Sequence, residues 1–444
     1  MKGGQGDSLA DLDRLYFQGS PVELAKAVAA FVSGTSPFER GAGGIYSLSM
    51  RELYAQVIAD VRDGKAGTIH PELYRAYSES LRKAVRSSFA KGGRGDSLAD
   101  QFEANLSRFA AYKAWHATRQ LERQLADPDG VQRTPGQFDR MARAVLNTFN
   151  RYQAAEYNTA VARARTAHQW QQFSQGDNMF LFPNLRWLPS RSATPREQHM
   201  PFYNLVLPKN HTFWTHNQPG SLWNCKCDWE ETDDPIDLRK LTPDQLADFS
   251  TAQGAIHARG LEGNPAQTGQ IFTDECTYVQ KAGKVTLDEK TKERFPSMQK
   301  LLDVDSRKWR LDYFDDDGGF LSINRTRIKE GEQNKQEQDK FKKEYDMCRT
   351  LALNHHTVEY RESVEGSFDI FLDDKKTDLK KTTGTSNICK YALKAIHHQD
   401  AEVVVFEFDM SNGINVQREI IAIRKLGIHG YYYFTSNKSI LYPI

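Results

Sequence analysis

The chain has 444 residues, enough for two or three domains, and its hydrophobic (39%) and aromatic (11%) content suffices for globular cores. A formal net charge of +1 excludes the global positive field of a non-specific DNA binder, whose affinity is mostly phosphate neutralisation. Five cysteines, two of them in a Cys-x-Cys, make no disulfide framework, and no apolar run reaches the roughly 18 residues of a membrane span. With no signal-peptide-like apolar stretch at the N-terminus, the expectation is a soluble protein folded in a reducing compartment, with no membrane partner.

Residues 1–45 are rich in Gly and Ser and carry one helical piece, Val22–Val32. KGGQGDSLAD (Lys2–Asp11) recurs as KGGRGDSLAD (Lys91–Asp100), too far apart for a solenoid period. The Arg94-Gly95-Asp96 triplet reads as loop. From Ser49 to Trp170 the pattern is helical, with segments Met50–Asp63, Pro71–Phe89, Leu98–Leu125, Thr134–Asn147 and Tyr152–Gln171. Breakers fall between them at Gly64, Gly67, Gly92-Gly93 and Pro128-Asp129-Gly130. The aromatics Tyr54, Tyr74, Phe102 and Trp115 read as core.

Three separated motifs follow in order: Glu156 with Asn158 and Thr159 on a helix, Arg196 with His199, and Trp223-Asn224-Cys225-Lys226-Cys227. With the tail GNPAQTGQIFTDECTY (Gly263–Tyr278), they resemble the Mu-type phage head-morphogenesis (MuF) family of minor head proteins. The likeness covers roughly residues 45–280, and the domain is set at 46–281. His199, His211, Cys225 and Cys227 have the donor types of a structural Zn²⁺ site, with His216 as an alternative ligand. Their spacing is irregular. A Cys-x-Cys packed under aromatics, with the histidines hydrogen-bonded, therefore stays open as the other reading.

Thr232–Gly269 reads as loop with one helix, Pro243–Ala252, and residues 282–305 are charged, lack an apolar period and read as a linker. Trp309–Ile328 then offers two short strands split by Asp315-Asp316-Asp317-Gly318-Gly319. The triple Asp lacks the remaining ligands of a twelve-residue Ca²⁺ loop and reads as a hairpin turn. A helix over Gln338–Asn354 carries Glu344 in an apolar stripe with Phe341, Cys348 and Leu351. An acid there needs a partner, which a metal site at the sheet would supply. Glu337 lies on the same face and competes for the role.

After a strand at His356–Arg361, Ser367–Lys381 reads SFDIFLDDKKTDLKK, a hairpin with Asp373–Lys376 as its loop. Alternation places Phe368, Ile370 and Leu372 on one face and Asp369 on the other, and puts Asp378 and Lys380 on a common face. A tight hairpin brings Asp369, Asp378 and Lys380 together. Two neighbouring carboxylates repel unless a divalent cation such as Mg²⁺ lies between them. A helix at Asn387–His398, a strand at Glu402–Phe408, a helix at Val416–Leu426 and strands at His429–Phe434 and Ser439–Tyr442 complete the pattern.

Asp369, then Asp378-Leu379-Lys380, in this α-β-β-β-α-β order, resembles the D…(D/E)-x-K signature of the PD-(D/E)xK nucleases, with Phe368 where the name has Pro. Residues 306–444 as a whole, with DLKKT…SNICKYALKAIHHQ and GIHGYYYF, resemble the C-terminal tRNase toxin domains of contact-dependent inhibition (CdiA-type) proteins. The resemblances imply a multidomain protein, a mainly α-helical head-morphogenesis domain followed by an α/β restriction-endonuclease-like domain. They imply Mg²⁺ held by Asp369 and Asp378, with Glu344 and Lys380 catalytic and Lys394 and Gln399 as substrate contacts. Expected partners are phage portal, capsid or scaffold proteins, tRNA as substrate, and an immunity protein. Expected locations are the virion or procapsid and the cytoplasm of the bacterial host. Acids and bases nearly balance from Asp305 to Ile444. That favours one folded RNA over DNA as substrate, and an inert C-terminal interaction domain stays open as the non-enzymatic alternative.

Overall fold

The computed structural model describes residues 50–89, 96–175, 178–384, 387–409 and 413–444. The helix expected at Val22–Val32, the first copy of the repeat and the start of its second copy lie outside them. The chain divides into two compact units between Thr291 and Lys292. Among the described residues no helix is long and apolar enough to cross a membrane.

The N-terminal unit is built on helices α1 (Met50–Arg62), α2 (Pro71–Arg86), α3 (Ser97–Arg123) and α4 (Pro135–Phe173). Their ends follow local chemistry. Gly64 and Gly67 both adopt φ +68° after α1, a conformation that favours glycine. Asp96 caps α3 by accepting from the Leu98 and Ala99 amides. Pro135 opens α4, where the Thr134 amide donates to Gln137 Oε1 at 2.9 Å. The two helices expected at Thr134–Asn147 and Tyr152–Gln171 are one continuous α4. The joint at Thr148–Arg151 contains no Gly or Pro, and burial of Phe149 and Tyr152 outweighs the few tenths of a kcal/mol that Asn and Thr cost in a helix. A small antiparallel sheet in the order β2-β1-β3 (Val206–Pro208, Asn184–Leu188, Asp228–Thr232) follows, and Trp187, Trp214, Trp229, Phe202 and Phe213 fill its core.

The stretch 282–305 contains short helices at Glu289–Arg294 and Met298–Asp303. Leu287 is buried in the first unit, and Met298, Leu301 and Leu302 in the second.

The C-terminal unit is a mixed eight-stranded sheet in the order β4 to β11 (309–314, 320–324, 357–360, 370–372, 375–382, 403–408, 429–434, 437–443). Helix α5 (Lys335–Leu353) packs on one face with Ile323, Val358, Ile370, Leu379 and Val405. Helices α6 (Ile388–His398) and α7 (Gly413–Lys425) cover the other with Val404, Phe406 and Phe408. Strand β9 pairs in parallel with both β8 and β10 and is buried on both faces, which is why Val403–Phe406 reads as an apolar run rather than an alternation, with Glu407, paired to Lys381, as its one charge.

Two local details of the hairpin differ from expectation. Its loop is only Asp373-Asp374, at φ +49° and +66°, so Lys375 and Lys376 join β8 and Leu372 pairs with Lys375. Two successive positive φ values are the twist-matched hairpin geometry, and Asp tolerates them better than most residues. Phe368 does not share the Ile370–Leu372 face. It precedes the strand proper and packs in the opposite layer.

Candidate functional site

The acid cluster sits where the β7–β8 ladder stops. The last paired residues are Ile370 and Thr377, and the Asp369 amide still donates to the Thr377 carbonyl at 3.1 Å. The next inward amide on β8, that of Leu379, is taken instead by the Asp369 carboxylate, 2.8 Å from Oδ2. The diverging chain thus delivers a carboxylate in place of a backbone carbonyl. On β8, Leu379 aligns with Val405 in the α5 layer, whereas Asp378 and Lys380 align with Val404 and Phe406 in the α6–α7 layer. The common face expected for Asp378 and Lys380 is present.

Asp378 is fully buried, and neither carboxylate oxygen accepts a hydrogen bond from the described residues. The Lys380 ammonium forms an ion pair with Asp378 Oδ2 and donates to Gln399 Oε1 at 3.2 Å. Burial and the adjacent Asp378 charge push the Asp369 carboxyl up to about 7, against the opposing pull of the Leu379 amide and Lys380. Glu344 is also raised, by burial first and by the Asp369 charge second, which places it beside the cluster. Its partners among the described residues are two side chains. It accepts from Tyr360 Oη at 2.6 Å and from Arg327 Nη2 at 3.2 Å. Glu337 lies on the far side of the same guanidinium at 3.8 Å. Gln399 is therefore a brace for Lys380, while Lys394 stands exposed on α6 with no hydrogen bond or ion pair to the cluster. Arg327 has no sequence signature, since a link between a short helix and an acid on α5 exists only in three dimensions.

Buried carboxylate oxygens whose one described partner is a lysine, beside a second carboxylate that is hard to ionise, are a donor set fit for a hard divalent cation. The raised Asp369 makes a pH prediction. A carboxyl whose folded value lies above its unfolded value of 3.8 binds its proton more tightly when folded. Its contribution is full below about pH 4 and is lost as pH rises through about 7. In EDTA, the stability difference between wild type and Asp369→Asn should therefore shift against wild type from pH 5 to pH 8. Urea midpoints measure it, and parallel curves for the two proteins would refute it.

In the N-terminal unit the three motif segments converge. Thr159 Oγ1 accepts from the Asn224 amide at 2.8 Å, and Asn158 bonds the Asn224 side chain at 3.2 Å. Arg196 donates to the Trp223 carbonyl at 3.1 Å, and Glu156 pairs with Lys113 inside the helical core. His199 lies against both cysteines of Cys225-x-Cys227, and these three buried residues form a group able to hold a metal ion. His211 and His216 are not in that group. His211 Nδ1 accepts from the Phe213 amide at 3.1 Å, a local turn contact that removes it from the set.

A second such group, Asp315, Asp317 and His355, is largely exposed, and Asp315 is committed to the Asp317 and Gly319 amides of its own turn. A cleft of about 630 Å³ lined by Lys300, Asp303, Lys308, Trp309 and Glu359 contains none of the acid cluster. Lys300 there is bonded to Glu359 and Asp374, so the cleft offers no free cation from that residue. No protein-family model, curated protein or solved structure matches this chain.

Proposed function

We propose that the chain is a phage minor head-morphogenesis protein carrying a metal-dependent endoribonuclease of restriction-endonuclease-like fold, acting on tRNA, in its C-terminal unit. One observation carries the enzymatic half: a fully buried Asp378 whose one described partner is the Lys380 ammonium, beside an Asp369 whose carboxyl is pushed up to about 7. Mere structural burial of such a pair is unfavourable, and perturbed carboxylates of this kind concentrate at catalytic sites. Helix, strand and hairpin precede α6 and β9 in the order the nuclease reading requires. The head half rests on the convergence of the three motif segments.

Mg²⁺ bound here would supply charge neutralisation at the phosphate and an activated water. Asp369 and Asp378 hold it. Glu344, tied to Tyr360 and Arg327, acts through its charge on Asp369 rather than on the metal. Lys380, steadied by Gln399, stabilises the negative charge that develops on the attacked phosphodiester. Phage portal, capsid or scaffold proteins are the proposed partners of the head half. The proposed locations are the virion or procapsid and, once delivered, the host cytoplasm, where an immunity protein would restrain the enzyme.

The test incubates the full chain with total bacterial tRNA and with duplex DNA, in Mg²⁺ and in EDTA, beside Asp369→Ala. Loss of discrete tRNA bands that needs both Mg²⁺ and Asp369 supports the reading. Cleavage of DNA alone reassigns the substrate. Intact nucleic acid in every lane from folded protein leaves a head protein with an inert C-terminal unit.

A further inference from the structure

The second cluster of ligating groups, in the N-terminal unit, has no part in phosphodiester chemistry. Its hydrogen bonds determine which histidine nitrogen is free. Ser221 Oγ donates its one hydrogen to the Ile256 carbonyl at 2.9 Å. Its 3.2 Å contact with His199 Nε2 must then be one it accepts, so Nε2 carries the imidazole proton. Nδ1 is left bare. It lies 3.4 Å from Cys225 Sγ and 3.8 Å from Cys227 Sγ.

Those separations fit a shared ion. With Zn–N of about 2.0 Å and Zn–S of about 2.3 Å, a tetrahedral angle sets the N···S distance at about 3.5 Å, which the two observed values bracket. A thiol proton satisfies one lone pair, and here two sulfurs converge on the same one. A shared cation accounts for both.

The surroundings also suit charged sulfur. The Cys227 amide approaches Cys225 Sγ at 3.4 Å. The Trp187 indole N–H, wholly buried and with no oxygen or nitrogen acceptor among the described residues, faces the Cys227 sulfur, as does the Tyr203 phenol. An indole N–H only donates, and a neutral thiol is a weak acceptor, whereas a metal-bound thiolate is a strong one. Metal-bound histidines commonly donate their other N–H to a fixed acceptor, the part Ser221 plays here.

We propose that His199 Nδ1, Cys225 Sγ and Cys227 Sγ bind one Zn²⁺, with a water-derived fourth ligand. Binding displaces the two thiol protons to solvent and involves no redox step. The ion ties the turn at Glu197–Phe202 to the Cys-x-Cys segment entering β3, above the tryptophan core.

The experiment uses the full chain, purified under reducing conditions, with zinc content by mass spectrometry and cobalt titration of the stripped protein. About one zinc per chain is expected, together with the visible absorption of tetrahedral, thiolate-bound cobalt. Cys225→Ser and Cys227→Ser should each weaken cobalt binding more than about 100-fold. Ser221→Ala keeps every ligand but frees the tautomer and should weaken it about 10- to 100-fold. His211→Ala should leave binding unchanged. If the cysteine variants fail to fold, wild type, Ser221→Ala and His211→Ala still decide the matter. The proposal is overturned if the folded, reduced wild type carries no zinc and gives no thiolate–cobalt absorption. Absorption that survives the loss of both cysteines, or is lost in His211→Ala, overturns it equally.

Discussion

Asp378→Asn should abolish Mg²⁺-dependent cleavage, by about 10³-fold or more, and at the same time make the metal-free protein more stable. The two effects have one cause. Asp378 is buried, ion-paired with Lys380 but with no hydrogen bond to either oxygen from the described residues, and its charge helps drive the Asp369 carboxyl up to about 7. Replacing it by a neutral isostere relieves Asp369, and Lys380, with its side chain 22% exposed and still bonded to Gln399, is not stranded by the loss of the ion pair, so the net gain is about 1 kcal/mol. The same change removes a metal ligand and so the charge neutralisation on which the proposed hydrolysis depends. Cleavage rate against tRNA and the urea midpoint in EDTA read the two halves separately. A variant that is both inactive and less stable would point to a structural role for Asp378. One that is stable and fully active would remove the proposed metal site.

Glu156→Leu should destabilise the N-terminal unit by about 3–5 kcal/mol, and the double variant Lys113→Met/Glu156→Leu should recover most of that loss. Lys113 and Glu156 pair with side chains 0% and 1% exposed, and the ammonium also lies 4.6 Å from the Tyr77 ring centre. Burial raises the Glu156 carboxyl and lowers the Lys113 ammonium, while each charge opposes the shift of the other. Removing one partner strands the other in the helical core. Removing both exchanges a costly desolvated pair for apolar packing of similar volume. Every tryptophan except Trp309 lies in this unit, so tryptophan fluorescence in denaturant follows its unfolding. A single variant costing less than about 1 kcal/mol would mean that Lys113 finds another acceptor or sheds its proton easily.

Glu156 shows how far a motif can be read in advance. Its place on a helix was legible from periodicity, but its partner Lys113 lies on α3 and nothing local announces it. The same holds for Glu344. An acid on an apolar stripe signals a need for a partner, and the fold supplies Arg327 and Tyr360, neither of which the spacing announces. Among the histidines, spacing left His199, His211 and His216 equivalent. The fold brings His199 to the cysteines and leaves His211 on its own turn.

By itself the sequence determined the order of the strands and of the three long helices in the C-terminal unit, and the common face of Asp378 and Lys380, but not the short helices Met298–Asp303 and Arg325–Gly331. Alternation, helical spacing and Gly, Pro or Asp punctuation act over a few residues, and those forces are written in the residues themselves. The tertiary structure alone decided that Asp369 replaces a ladder carbonyl at Leu379, that Asp378 is sealed from solvent by the α6–α7 layer, and that α4 runs unbroken through Phe149. Each of these depends on what packs against the residue from a distant part of the chain. Burial, and with it the electrostatic character of the site, is a property of that packing rather than of any local spacing.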